Sequence, residues 1–307
     1  MVAGLLYAAM PAIGSALCEL GRKRLTSAGL DAPTIVSLIC LSQGVIGMAG
    51  FYLTFGAIPM PTAVFWKPAL LSAMANAFSK TLQTIAYNKG DVSLCAPFSA
   101  SLPIFQYLVT TFVWGDEARF PPHRVLGVFA IGVCGFWLSK AGRPQVKEAP
   151  LLPPGAGLIL TQCAIYSVIT KVDQAAANAV SPTEHVFWSK LLVGLWAAVG
   201  ALSNRRGSST SKDGKPGETP AYRTIRLLRS EAWLALLLLG VAGIEGLYMG
   251  AYSIALKSVS KVYVIAIKIG GYMLLTSIGG WVFFNEEHKG RKLPVAGVAL
   301  GVMLMTV

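Results

Sequence analysis

The sequence predicts an all-α polytopic membrane protein, in which ten transmembrane helices form two inverted five-helix repeats. Three observations lead to this prediction: an apolar composition, apolar segments of membrane length, and motifs that occur once in each half. Of the 307 residues, 54% are hydrophobic and 13% are charged, whereas a soluble domain has about 25% charged residues. Only helices and closed barrels satisfy the backbone inside a bilayer. The apolar segments are too long and continuous for the alternating strands of a barrel.

Ten apolar segments are long enough to cross a bilayer, since a helical span needs about 20 residues. In chain order, the predicted spans are 2–20, 34–56, 65–87, 92–114, 123–140, 155–173, 184–203, 231–254, 261–284 and 291–307. Several prolines in 144–154 predict a linker between a first repeat, 1–143, and a second repeat, 155–307. The basic loop 204–230 is rich in Gly, Ser, Lys and Pro, a composition that predicts disorder.

Short motifs recur at equivalent positions of the two halves. Residues 31–34 (Asp-Ala-Pro-Thr) follow the first span, and residues 180–183 (Val-Ser-Pro-Thr) follow the sixth. Residues 114–119 (Trp-Gly-Asp-Glu-Ala-Arg) correspond in the same way to residues 284–289 (Phe-Asn-Glu-Glu-His-Lys). Because each half has an odd number of spans, the second half must enter the membrane upside down. Inverted repeats are common in secondary transporters, which bind substrate near the membrane midplane between the repeats.

Charged residues inside the predicted spans indicate where a substrate could bind. Glu245 is close to the middle of the eighth span, while Lys190 and Lys268 lie within the seventh and ninth. A charge at membrane depth costs about 2.5–3.5 kcal/mol on insertion scales, so it indicates a partner, a water-filled cavity or a substrate. We expect the two ammonium groups to bind an anionic group and Glu245 to act as counter-ion or proton site. The alternative for these lysines, and for Lys80, is that the ammonium reaches the lipid headgroups.

Aromatic and polar side chains complete the predicted site. Tyr248 shares a helical face with Glu245, and Tyr272 lies one turn after Lys268. Tyr87, near a span end, is predicted to belong to the aromatic belt. The predicted substrate-binding residues are Lys268, Lys190, Glu245, Tyr248, Tyr272, Lys80, Gln83, Gln106 and Lys171. The five cysteines lie in apolar segments without a Cys-x-x-Cys spacing, so neither a metal site nor a cofactor is predicted.

Proline and glycine positions predict local features of two spans. Pro97 and Pro103 are expected to kink the fourth span and release backbone carbonyls. Gly297 and Gly301 have the spacing that permits close helix contact, within one chain or between two. A monomer and a homodimer are both consistent with that spacing.

The net charge of +12 predicts interaction with the lipid bilayer rather than with nucleic acid. Basic loops beside anionic headgroups account for it, and the sequence has no basic platform interleaved with aromatic residues. An enzyme is not predicted, because the three histidines lie in loops or at span ends and one deep acid cannot form a carboxylate pair. A channel or an intramembrane enzyme is the alternative from another functional class.

The combination of ten spans, two inverted halves and the acidic turn motifs resembles the drug/metabolite transporter superfamily, particularly its EamA-like repeats. The most family-like segment is residues 283–286 (Phe-Phe-Asn-Glu) with the glycines of the last span, and residues 114–117 (Trp-Gly-Asp-Glu) are its counterpart. The resemblance covers almost the whole chain. It implies alternating-access transport of a small organic metabolite, with the pocket between the halves.

The predicted function is therefore secondary active transport of a small anionic metabolite, such as a phosphorylated or carboxylated compound. Triose-phosphate and nucleotide-sugar transporters of the superfamily use basic residues in the pocket, which implies that role for Lys190 and Lys268. The alternative is an EamA-like exporter of amino acids or other neutral metabolites, in which these lysines face lipid headgroups. Lys and Arg concentrate in the loops after odd-numbered spans, which indicates a cytoplasmic side for those loops, whereas the superfamily places both termini in the cytosol.

Overall fold

The structure, a computed structural model, describes residues 2–115, 122–141, 152–203, 219–258, 261–286 and 292–306. Its helices are α1 (Val2–Ser27), α2 (Ala32–Phe55), α3 (Ala63–Lys89), α4 (Val92–Cys95), a 3-10 helix (Ala96–Ser101), α5 (Leu102–Phe112), α6 (Pro122–Ala141), α7 (Ala156–Asn178), α8 (Pro182–Ser203), α9 (Pro220–Ser230), α10 (Ala232–Ser258), α11 (Lys261–Phe284) and α12 (Lys292–Thr306). No strand occurs in the ranges described, so the all-α prediction is confirmed there. Helix covers each of the ten predicted segments, and the fourth is interrupted by the 3-10 helix.

Among the described residues, three segments form helices long and apolar enough to cross a membrane. These are Ala32–Phe55, Pro182–Ser203 and Ala232–Met249. Shorter apolar helical stretches occur at Val92–Gln106 and Gly271–Phe284. Many large apolar side chains along these helices are exposed, as a lipid surrounding allows. These features fit a membrane protein.

The chain divides into two compact units, and each unit contains segments from both halves of the sequence. The first unit comprises Met1–Leu20, Ile85–Ser167 and Ile244–Val307. The second unit comprises Gly21–Thr84 and Val168–Gly243. The division therefore passes through long helices, including α1 and α10, rather than between them.

In the first unit, α11 packs against α4, the 3-10 helix and α12, while α12 also packs against α6. The core at these contacts includes Tyr87, Cys95, Ile159, Met273 and Val298, all buried. Lipid tails are as apolar as these side chains, so helix association in a bilayer depends on close packing and hydrogen bonds. The contacts of the first unit are of that kind.

In the second unit, α2 and α8 make a reciprocal contact through two glycines. A Cβ atom placed on Gly44 would lie 2.5 Å from Leu191 Cγ and 2.9 Å from Leu191 N. A Cβ atom placed on Gly194 would lie 2.7 Å from Leu41 Cγ and 2.8 Å from Leu41 N. The same number of positions separates Leu41 from Leu191 as separates Gly44 from Gly194. The two glycines therefore have matching surroundings on the two helices.

The two Pro-Thr motifs begin these same helices. At the start of α2, the Asp31 carboxylate accepts hydrogen bonds from Thr34 N at 3.3 Å and Thr34 Oγ1 at 2.9 Å. At the start of α8, Ser181 N donates to Glu184 Oε2 at 3.3 Å and Glu184 N donates to Ser181 Oγ at 3.4 Å. The second arrangement is a capping box. Each motif therefore satisfies backbone donors that the first helical turn leaves open.

Part of the loop predicted to be disordered is a helix, which corrects that prediction. Thr219 is the N-cap of α9, and a proline stands in its first turn. The Thr224 hydroxyl accepts a hydrogen bond from Asp31 N at 2.8 Å, which anchors α9 to the turn before α2. Composition alone missed this cap and this tertiary contact. The remainder of the loop, 204–218, lies outside the described residues.

Candidate functional site

One group of predicted substrate-binding residues belongs to the first unit. Glu245 and Tyr248 lie in α10, Lys268 and Tyr272 in α11, and Gln106 in α5. Glu245 is 1% exposed and lies inside a candidate membrane span. Tyr272 is also buried, whereas the other three side chains are half-buried. The deepest predicted charge is therefore the most completely enclosed member of this group.

The other group belongs to the second unit. Lys80 and Gln83 lie in α3, Lys171 in α7 and Lys190 in α8, and all four are half-buried. Half-burial of a lysine fits both alternatives, because the stem can be covered while the ammonium reaches either a substrate or the headgroups. Their substrate contacts stay a prediction.

Close approach of α1 positions the tyrosines of α10 and α11. A Cβ atom placed on Gly14 would lie 2.6 Å from Tyr248 Cβ. A Cβ atom placed on Gly271, the residue before Tyr272, would lie 2.9 Å from Ala12 Cβ. Small residues permit helices to approach this closely. One stretch of α1 thus contacts α10 and α11, which carry four of the five predicted residues of the first unit.

A buried polar cluster surrounds Tyr272, which we call the tyrosine cluster: Glu19, Tyr87, Ser99 and Tyr272. The hydroxyls of Tyr87 and Tyr272 lie 2.6 Å apart and form a hydrogen bond, in which either can be the donor. The Glu19 carboxyl, on a side chain only 6% exposed, and the Ser99 hydroxyl lie near the Tyr272 hydroxyl. Hydroxyls both donate and accept, and a carboxyl can hold a proton. The cluster is therefore equipped to bind a polar group or a proton inside the first unit.

The sequence predicted other surroundings for two members of the tyrosine cluster, Glu19 and Tyr87. The first span was predicted to end just after Glu19, but α1 continues to Ser27 and Glu19 lies inside the helix. The signal for this extension is Leu25, an apolar residue among basic ones that is 0% exposed. Tyr87 is likewise 0% exposed. The prediction that it belongs to an aromatic belt is wrong, because its hydroxyl is bonded inside the protein rather than directed to headgroups.

We expect Tyr87→Phe and Tyr272→Phe each to lower the free energy of unfolding by about 1 kcal/mol, because each removes the buried hydrogen bond between the two hydroxyls. The double variant should cost less than the sum, since it removes both hydroxyls together. A double-mutant cycle on the detergent-solubilised protein measures this coupling. Strictly additive effects would show that the hydrogen bond contributes nothing.

The fourth predicted span is broken beside the tyrosine cluster. Pro97 stands in the first turn of the 3-10 helix and Pro103 in the first turn of α5, so the predicted irregularity is confirmed. The Phe98 carbonyl accepts a hydrogen bond from Ser101 Oγ at 2.7 Å. Ser99, a member of the cluster, belongs to this 3-10 helix. A 3-10 segment within a longer helix often marks a functional hinge.

A second polar cluster, which was not predicted, connects α3, α7 and α8 in the second unit. Asp173 Oδ1 accepts a hydrogen bond from Ser72 Oγ at 2.7 Å, and Asn76 Nδ2 donates to Ser72 Oγ at 3.1 Å. His185 Nε2 lies 3.6 Å from Asp173 Oδ1, which suits an ion pair when the imidazole is protonated but is too long for a hydrogen bond. The carboxylate, rather than the imidazole, accepts the hydrogen bond from the serine hydroxyl, so His185 is not placed to take a proton from Ser72 directly.

In the part of the chain that the structure describes, the side chains form neither a metal-binding group nor a disulfide. Within the described ranges, no group of three His, Cys, Asp or Glu side chains is placed to hold a metal ion. The five cysteines are free thiols. The two polar clusters described above contain carboxyls, hydroxyls, an amide and an imidazole.

Comparisons with known proteins address the fold. No protein-family model and no curated protein matches the chain. One solved structure, described only as "Crystal structure of protein", is similar with a TM-score of 0.57 at 16% identity, over 97% of this chain and 95% of that chain. Similarity at this identity concerns the fold alone, and here it extends over nearly the full length of both chains. The helices and the three candidate spans of the described residues fit an all-helical membrane protein.

Proposed function

We propose that this chain is a secondary active transporter that moves a small anionic organic metabolite, phosphorylated or carboxylated, by alternating access. The observation that carries the proposal is the full burial of Glu245 within a candidate membrane span. An ionisable side chain inside a span is costly, and it marks an ion, proton or substrate pathway. Lys268 and Lys190 bind the anion, and Glu245 serves as counter-ion or proton site.

Two local repeats support a transporter with ten spans in inverted five-helix halves. The first is the reciprocal contact of α2 with α8, which are equivalent helices of the two halves. The second is the left-handed backbone at Gly115 (φ 67°) and Asn285 (φ 51°), which occupy matching positions of the acidic turn motifs. Together with the resemblance of those motifs to EamA-like repeats, these features favour a transporter of the inverted-repeat kind. The acidic residues of the first motif, Asp116 and Glu117, lie outside the described residues.

Charge balance gives the proposed residues their roles. Lysine suits a phosphate or carboxylate as a point charge on a flexible stem. The Glu245 carboxylate neutralises an ammonium while the site is empty. A proton that reaches Glu245 when the anion binds keeps the total charge at membrane depth small, which lowers the cost of moving the site through the bilayer. Exchange of one anion for another achieves the same balance.

Uptake into proteoliposomes tests the proposal with a panel of phosphorylated compounds, carboxylates and neutral amino acids. We expect saturable, trans-stimulated uptake of an anion. Lys268→Gln and Lys190→Gln should each lower that uptake by about 10- to 100-fold at low substrate concentration, because a charge-assisted contact contributes about 1.5–3 kcal/mol. The matched control is Lys67→Gln, which removes an exposed lysine of α3 and should leave uptake unchanged.

Three outcomes would overturn parts of the proposal. Uptake of neutral amino acids alone, insensitive to both lysine substitutions, would favour the EamA-like exporter. Ion flux without saturation or trans-stimulation would indicate a channel. Transport that is independent of pH and survives Glu245→Gln would remove the proton role of that carboxyl.

A further inference from the structure

The position of α9 is fixed at two points where candidate spans begin. Its last residue, Ser230, is followed two residues later by Ala232, the first residue of a candidate span, so the two Cα atoms are at most about 8 Å apart. In its middle, Thr224 is hydrogen-bonded to the backbone of Asp31, the N-cap of another candidate span. A helix held at both points stays next to the first residues of two candidate spans.

The outward side of α9 combines apolar and cationic residues. Tyr222 and Ile225 are 64% and 54% exposed, and Arg226 and Arg229 are exposed beside them. The buried side carries small residues, Ala221 and Thr224. The helix contains three arginines and no acidic residue. Exposed aromatic and aliphatic side chains among arginines are typical of helices that lie in the membrane interface.

The residues after α9 add a second sign of the interface. Trp233 is 44% exposed, and its indole N–H donates to Glu231 Oε2 at 2.6 Å. The guanidinium of Arg24 lies 5.8 Å from the centre of the Trp233 ring. Tryptophan concentrates at the headgroup level of a bilayer. We therefore expect the indole N–H of Trp233 to lie at the headgroup level, close to the end of α9.

From this placement we propose that α9 binds the headgroups of anionic phospholipids, with Arg226 and Arg229 contacting the phosphates. Tyr222 and Ile225 enter the headgroup region beside these two arginines. Lipid bound to α9 holds this helix against the turn before α2 and close to the first residue of α10. This inference does not depend on which solute the chain carries.

Hydrogen exchange of the α9 backbone amides tests the proposal on the full chain in nanodiscs. One set of discs contains phosphatidylcholine, and the other contains phosphatidylcholine with equimolar phosphatidylglycerol. Near an anionic surface each arginine contributes about fivefold, so we expect the anionic discs to slow exchange in α9 by about 30-fold. Arg226→Gln/Arg229→Gln should abolish that difference.

The matched control is Lys67→Gln/Lys89→Gln, which removes two exposed positive charges from α3 and should keep the lipid effect. Unchanged exchange in α2 and α8 verifies that each variant is folded. Equal exchange in the two kinds of disc for the wild type would overturn the proposal. So would an equal slowing by inorganic phosphate in phosphatidylcholine discs, because the ligand would then be a free anion. Loss of the effect in the lysine control would assign it to overall charge.

Discussion

Glu286→Ala is expected to lower the free energy of unfolding by about 3 kcal/mol or more, because charge-assisted hydrogen bonds contribute about 1.5–3 kcal/mol each. Glu286 is 6% exposed, and its two carboxylate oxygens accept from Val92 N at 2.8 Å and Ser93 N at 2.9 Å. The N-cap residue itself, Asp91, makes no side-chain capping bond. Removal of Glu286 therefore leaves two buried N–H groups unpaired and takes a negative charge from a helix start.

Chemical unfolding of the detergent-solubilised protein measures this effect. Glu286→Gln should cost less than alanine, because its carbonyl oxygen still accepts one bond while its amide group faces the second N–H. The matched control is Glu184→Ala, which removes the longer, exposed capping bond at the start of α8. It should cost about 1 kcal/mol or less. Equal losses for Glu286→Ala and Glu184→Ala would contradict the bidentate cap.

Gly44→Ala combined with Gly194→Ala is the second large effect, an expected loss of about 4 kcal/mol. Each new Cβ atom would meet both the side chain and the backbone nitrogen of a leucine on the other helix. Backbone atoms cannot move aside as a side-chain end can, so α2 and α8 must separate. Overpacking of this kind costs about 1–3 kcal/mol per site. Because the contact is reciprocal, we expect similar losses from the two single variants.

Gly50 and Gly200 provide a control pair on the same two helices, separated by the same number of positions. A Cβ atom placed on either would meet nothing within 4 Å in the part of the chain that the structure describes. Alanine there should raise stability slightly, since it is better than glycine in a helix by about 1 kcal/mol. Thermal unfolding of the two double variants compares the pairs. A loss of stability in the control as large as that of Gly44→Ala with Gly194→Ala would show that the close approach is not the cause.

The helix positions could be predicted because apolar length and proline position are local properties of the sequence. Helix ends were less predictable where a helix continues beyond its apolar segment. The first span was predicted to end at residue 20, before the charged residues Arg22 and Lys23, but α1 extends to Ser27. The helix α9 was missed because its cap and its bond to Asp31 have no compositional signature.

The sequence predicted the candidate site only at residues whose type is rare inside an apolar segment. A glutamate in the middle of an apolar segment indicates a site by itself, and Glu245 is indeed enclosed. The pairing of Tyr87 with Tyr272 joins residues 185 positions apart, and no local pattern encodes it. The contact of Asp173 with Ser72 is equally remote in sequence. Whether a lysine ammonium contacts substrate or a lipid headgroup depends on its neighbours in space. The sequence therefore could not decide between these two contacts for Lys190.

The division of the chain into discontinuous units has a consequence for biosynthesis. All residues of the second unit have been translated once Gly243 is added, whereas the first unit needs Ile244–Val307. Within the first unit, α4 and α6 are made early, but they pack against α11 and α12, which are made more than 100 residues later. Domains generally fold as their sequences emerge. The packing of the nascent first unit therefore stays incomplete until α12 has been made, and during this interval chaperones and the insertion machinery must shield it.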